Sequence, residues 1–115
     1  MSARNRNREA ARLQSQATVF AALGDQTRLL LVTKLADGRP CSIAQLTEGS
    51  RLTRQAITKH LRVLERVGMV RCARQGRESR FAFNPRPMEE LRECLDPVSA
   101  QWDEALGRLK ALVEK

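Results

Sequence analysis

"LTRQAITKHLRVLERVGMV", Leu52–Val70, carries two chemically different faces on one segment. Ile57, Leu61 and Leu64 recur at spacings of four and then three, which puts them on one side of an α-helix and predicts that this side packs on a core. Arg54, Gln55, Thr58, Lys59 and Arg62 make a second contiguous face without an apolar side chain. Thr53 is placed to cap the helix at its start and Gly68 to end it, so a helix over about 53–67 is expected.

The outer face has the chemistry of a reader of the DNA major groove. Arg can bridge O6 and N7 of guanine, Gln can bridge N6 and N7 of adenine, and Thr can touch a thymine methyl. His60, the single histidine, sits on the same helix, where a hydrogen bond at the groove edge or a packing role suits it better than metal ligation.

The charge is localised in the same region. Residues 51–80 hold nine basic side chains against Glu65 and Glu78, and residues 1–12 hold four Arg against Glu9. Residues 13–50 are neutral, and residues 81–115 carry a small acidic excess. A formal charge of +8 gathered in the middle and front of a 115-residue chain has the footprint of a polyanion binder.

The segments around the quoted stretch complete an architecture. Residues 1–8 offer nothing to bury and are expected as a flexible basic arm, leaving one domain over 9–115. "EAARLQSQATVFAAL" has helical spacing and ends at Gly24, and Asp25 can cap the next helix, "QTRLLLVTKLADG". That second helix is apolar around much of its circumference and is expected to be the most buried. Ser42 and Gln45 form a capping box for a short helix before the quoted one.

After Val70, "VRCARQGRESRFAF" alternates around a "QGRE" turn, predicting a β-hairpin over about 70–84 with Arg74, Arg77 and Arg80 outward. These three suit phosphates or a minor groove and would position more than specify. A break is expected at Asp96-Pro97, then a terminal helix over about 98–114 with Val98, Trp102, Leu106, Leu109 and Val113 on one stripe. The expectation is a mainly α fold with a small β-hairpin, a winged helix-turn-helix. The terminal stripe, with Leu13 and Phe20 of the first helix, exceeds what so small a chain covers by itself. It predicts a homodimer joined through the N- and C-terminal helices, with dimerisation residues Leu13, Phe20, Trp102, Leu106, Leu109 and Val113.

From "FAALGDQTRLLLVTKL" through "LTRQAITKHLRVLERVGMVRCARQGRESRFAF" the chain resembles the ArsR/SmtB family of transcriptional repressors, over roughly residues 17–84. The resemblance implies a homodimeric repressor that binds a palindromic operator in double-stranded DNA and releases it when an effector binds. Thr53, Arg54, Gln55, Thr58, Lys59, His60 and Arg62, with Arg74, Arg77 and Arg80, are the expected DNA-binding residues. Ser50 and Arg51 depart from the Leu-Gly pair common in the family's turn.

Metal-sensing relatives carry a Cys-x-Cys pair before the recognition helix, or Asp and His ligands in the terminal helix. This chain has only Cys41 in the first place and no His in the second. No metal residues and no cofactor are therefore expected, since a closed zinc site needs four ligands. The odd number of widely separated cysteines argues against a disulfide framework and fits a reducing compartment. With no apolar run long enough for a membrane helix, a soluble cytoplasmic chain is expected.

No phosphate loop or catalytic partner for His60 is legible, so an enzyme is not expected. Two alternatives stay open: a metal or redox sensor using Cys41, Cys72 or Cys94, and a non-specific architectural protein that coats nucleic acid.

Overall fold

A computed structural model describes residues 2–114; Met1 of the expected arm and Lys115 of the expected domain lie outside the described residues. The elements run α1 (Ala3–Leu23), α2 (Gln26–Leu35), β1 (Cys41–Ser42), α3 (Ile43–Thr47), α4 (Arg54–Arg66), β2 (Val70–Gln75), β3 (Glu78–Phe83) and α5 (Arg86–Val113). The fold is a winged helix-turn-helix: α3 and α4 form the helical pair, and the β2–β3 hairpin is the wing.

Local chemistry sets the helix ends. Asp25 Oδ1 accepts the Arg28 amide at 3.0 Å and opens α2. Ser42 Oγ accepts the Gln45 amide at 3.1 Å while Gln45 Oε1 accepts the Ser42 amide at 2.9 Å, closing the capping box of α3. Helix α4 ends where Gly68 takes φ +80°, its amide donating to Glu65 O at 3.0 Å and the Met69 amide to Leu64 O at 2.9 Å. This is a Schellman closure, and it drives Met69 into the core.

The core is a single cluster. Leu31, Val32 and Leu35 from α2, Leu46 from α3, and Ile57, Leu61 and Leu64 from α4 close on Met69, Val70, Phe81 and Leu91. Leu29 and Leu30 of α2 are half exposed, so that helix is not buried all round as expected. Consecutive apolar residues on a helix of 3.6-residue period cannot all face one core.

The expected hairpin is the larger part of a three-stranded antiparallel sheet ordered β1-β3-β2. Cys41 and Cys72 both pair with Phe81 of the central strand, one from each side. Two-residue β1 is too short to show an alternation, yet it covers the backbone edge that β3 would otherwise leave open. Gly76, at φ +62°, takes the first position of the two-residue turn and Arg77 the second, the arrangement of a type II′ hairpin.

Both terminal helices differ from expectation. The segment 1–8, expected as a flexible arm, is helical from Ala3, with Ser2 Oγ accepting the Asn5 amide at 3.3 Å. Its Ala and Arg residues are good helix formers, and they extend a helix already anchored at Val19 and Ala22. At the other end no break occurs at Asp96-Pro97, and α5 is one helix of 28 residues through Pro97. Leu91, Leu95, Val98, Trp102, Leu106, Leu109 and Val113 keep one phase across the proline, which costs a hydrogen bond without turning the stripe.

The outer part of α5 projects from the domain. From Leu95 to Glu114 every residue but Ala105 is exposed. The radius of gyration is 18.8 Å, against about 13 Å for a compact chain of this length. Among the described residues, no helix is long and apolar enough to cross a membrane.

Candidate nucleic-acid interface

The turn between α3 and α4 is made by Gly49, at φ +76°, and by Ser50, whose Oγ accepts the Leu52 amide at 3.0 Å. At this departure from the family's Leu-Gly pair, the Ser50 hydroxyl closes the turn. Helix α4 then sits on the core through Ile57, Leu61 and Leu64, each at most 2% exposed. The opposite side is turned outward.

On that side Arg54, Gln55, Thr58 and Lys59 join Ile43 around a shallow open hollow. Arg54 also borders a second hollow with Ala44, Gln45, Thr47 and Glu48, so the outer faces of α3 and α4 are continuous. Thr53 Oγ1 accepts the Ala56 amide at 3.1 Å, which leaves its hydroxyl proton free to donate. The start of a 13-residue helix lies at the same place, with its partial positive charge. Thr58 donates its hydroxyl to Arg54 O at 2.7 Å, which leaves its oxygen able to accept and its methyl able to touch a base.

Two side chains of α4 have partners within the fold. Arg62 Nη1 donates to Glu65 Oε1 at 2.7 Å, and the guanidinium carbon stands 5.6 Å from the centre of the Phe81 ring. The Glu65 carboxylate holds Arg62 still more firmly in its charged form, with a smaller contribution from the adjacent Cys72. His60 is half-buried and turned inward, with Nδ1 3.3 Å from Arg28 Nη1 and 3.7 Å from Asp25 Oδ1. The hydrogen bond from the backbone amide of Arg28 is the largest influence that keeps the Asp25 carboxyl below the ordinary aspartate range.

The wing divides in the same way. Arg74 and Arg77 are exposed, Arg77 at the tip, while Arg80 Nε donates to Glu78 Oε2 at 3.2 Å. Among the described residues, Arg54, Lys59, Arg74 and Arg77 form no ion pair, so the cations on α4 and on the wing tip are open to a phosphate. Ile43 and Gln45 of α3, which the sequence reading did not place on this surface, border its two hollows, on the helix that in such a pair crosses the DNA backbone. Sequence reasoning also missed Arg28, which meets His60 across 32 positions of sequence and leaves no local signal.

The cysteines are apart. Cys41 and Cys72 flank Phe81 on opposite strands, which sets them about 10 Å apart, two strand spacings and too far for a disulfide. Cys94 lies instead in an apolar groove between α1 and α5, beside Leu13, Phe20, Leu91 and Leu95. Among the described residues, no three His, Cys, Asp or Glu side chains gather as metal ligands would.

The family model described as "Bacterial regulatory protein, arsR family" matches residues 25–71, from the cap of α2 to the start of the wing. A Bacillus subtilis protein, the uncharacterized HTH-type transcriptional regulator YuzN, is 38% identical over 79 residues, which span 64% of this chain and 86% of the relative. The chain belongs to the ArsR family. An ArsR-like regulator from Rhodococcus sp. RHA1 superposes with a TM-score of 0.67 at 34% identity, covering 87% of this chain and 93% of that one. The solution structure of a homodimeric winged helix-turn-helix DNA-binding domain from Mycobacterium bovis matches in fold, with a TM-score of 0.62 at 24% identity over 88% of this chain and 90% of that one. This ArsR-family chain is thus a transcriptional regulator with a winged helix-turn-helix DNA-binding domain, and the surface of α3, α4 and the wing is where that domain type meets DNA.

Proposed function

We propose that the chain is a homodimer that occupies a two-fold symmetric operator and represses the promoter it covers. The observation that carries this reading is the division of α4, with its inner face sealed in the core and Arg54, Gln55, Thr58 and Lys59 outward. Arg54 and Gln55 read bases in the major groove, Thr53 and Lys59 hold phosphates, and Arg74 and Arg77 of the wing grip the flanking backbone. The protein acts by occupancy, excluding polymerase from the site, and catalyses nothing.

Dimerisation is supported by the surface that one chain leaves uncovered. Trp102, Leu106, Leu109 and Val113 on α5 and Leu13 and Phe20 on α1 are all more than half exposed, in two stripes that a second copy can cover. A two-fold axis through these helices presents two α4 helices to successive turns of one face of the duplex, about 34 Å apart.

Selection from a random duplex library with the full chain tests the reading. An enriched inverted repeat is expected, bound about 10³-fold or more above random duplex at the same salt. A single unrepeated motif would remove the symmetric dimer, and failure to enrich any sequence would leave a non-specific coat protein.

On the enriched site, Arg54→Ala or Gln55→Ala is expected to relax preference at one base position in each half, at a cost of about 1–3 kcal/mol. Arg77→Ala should instead weaken all duplexes alike and lower the slope of log K against log salt by about one unit per subunit. Titrations at several salt concentrations separate the two behaviours, and identical profiles would overturn the assignment of reading to α4 and gripping to the wing.

A further inference from the structure

Arg28 joins three parts of the fold through one planar group. Its Nε donates to Ala22 O at 2.6 Å and its Nη2 to Ala21 O at 3.5 Å, both carbonyls in the last turn of α1. Its Nη1 meets Nδ1 of His60 on α4 at 3.3 Å. A guanidinium keeps its protons, so Nδ1 can meet it only as an acceptor, which requires the ring proton on Nε2 and a neutral imidazole.

Asp25 Oδ1 stands 3.7 Å from the same Nδ1 and already accepts the Arg28 amide. A carboxylate cannot donate to a lone pair, so it does not compete with Arg28 while the ring is neutral. A second proton reverses the preference. Nδ1 then becomes a donor, its contact with Arg28 becomes cation against cation, and Asp25 becomes the favoured partner. The charged groups placed against the ring are these two from the start of α2; the end of α1 contributes the Ala21 and Ala22 carbonyls, and Lys59, the neighbour of His60 on α4, lines the outer hollow.

We propose that Arg28 and His60 form a proton-sensitive clamp that sets the recognition helix α4 against the end of α1, His60 being a positioning residue and not a reader of bases. With the ring neutral, α4 is tied through Arg28 to the helix that carries Leu13 and Phe20, so the placement of the reading face follows the helix proposed to meet the second copy. With the ring protonated, the tie passes to the cap of α2 and the link to α1 opens. His60 is the only histidine of the chain, and an imidazole is the side chain whose ordinary charge change falls between pH 5 and 8.

The proposal rests on the reading of α4 as the DNA-contacting helix, and its test keeps the two apart. Affinities of the full chain for its selected duplex and for a random duplex of equal length are measured at fixed ionic strength from about pH 8 to about pH 5.5. Protonation adds charge and by itself strengthens binding to any duplex, so the quantity read is the ratio of the two affinities. That ratio is expected to fall about tenfold toward acid, the scale of one charge-assisted hydrogen bond.

His60→Asn, whose amide oxygen replaces Nδ1 as an acceptor and does not titrate, is expected to hold the ratio constant. Arg28→Lys, charged but without the fork, should begin lower at neutral pH and change less, with thermal unfolding showing that both variants are folded. A flat ratio in the unmodified chain, or an equal fall in His60→Asn, overturns the clamp while leaving α4 as the reader. No preference for any duplex at about pH 8 removes the recognition-helix reading, and the clamp with it.

Discussion

Replacing Trp102 and Leu106 together, as Trp102→Glu and Leu106→Glu, is expected to give a folded single chain whose operator affinity is about 10²- to 10⁴-fold weaker. Both side chains are largely exposed in the single chain, at 64% and 56%, so their loss takes nothing from its core. The charges act where two copies would meet, because an unpaired carboxylate cannot be buried in an apolar contact without a large desolvation cost. Each monomer then holds one half-site without the effective concentration that the linked partner supplies. Sedimentation measures assembly, titration of the selected duplex measures affinity, and circular dichroism confirms the fold. A variant that stays dimeric, or that binds the operator as before, would contradict the placement of the interface on α5.

The second large effect is at Phe81. It lies on the central strand, fully buried, between Cys41 on β1 and Cys72 on β2, with the Arg62 guanidinium over its ring. Phe81→Ala is expected to cost about 3–5 kcal/mol, from lost apolar burial and the cavity left behind. That is a large share of the roughly 5–15 kcal/mol that holds a domain of this size.

Urea denaturation in the monomeric Trp102→Glu, Leu106→Glu background gives the value without a dimer's concentration dependence. Phe20→Ala in that background should cost far less, because Phe20 is half exposed in the single chain. Equal costs at the two positions would mean that the sheet is not part of the core.

The difference between Phe81 and Phe20 also marks how far reading by local pattern reaches. Ile57, Leu61 and Leu64 were legible as the inner face of α4 because helical period alone puts them together, and the structure buries all three. Caps were legible for a similar reason: Asp25, Ser42 and Thr53 each bond an amide three residues on, within reach of a four-residue window. The basic run of 51–80 pointed to a polyanion because charge needs no packing to be counted.

What sequence could not resolve lies where partners are distant or period is absent. Strand β1 has two residues and no alternation to detect, and its pairing with β3 joins positions about forty apart. Pro97 is a local signal for a break, but the unbroken phase of the α5 stripe overrides it. Arg54, Gln55, Thr58, Lys59, Arg62, Arg74, Arg77 and Arg80 were alike eligible as DNA contacts by type and spacing, and His60 as a groove-edge contact or a packing residue. Packing separates them, holding Arg62 on Phe81 and Glu65, Arg80 on Glu78 and His60 on Arg28, while Arg54, Gln55, Lys59, Arg74 and Arg77 stand outward.

The sequence by itself therefore determined the winged helix-turn-helix, the two faces of α4 and the basic strip of residues 51–80, since each rests on periods, caps and charges that act within a turn or two of helix. Only the tertiary structure decided which of those side chains stand free at the surface and which have partners within the fold. A side chain's freedom depends on groups that the fold brings beside it from anywhere in the chain.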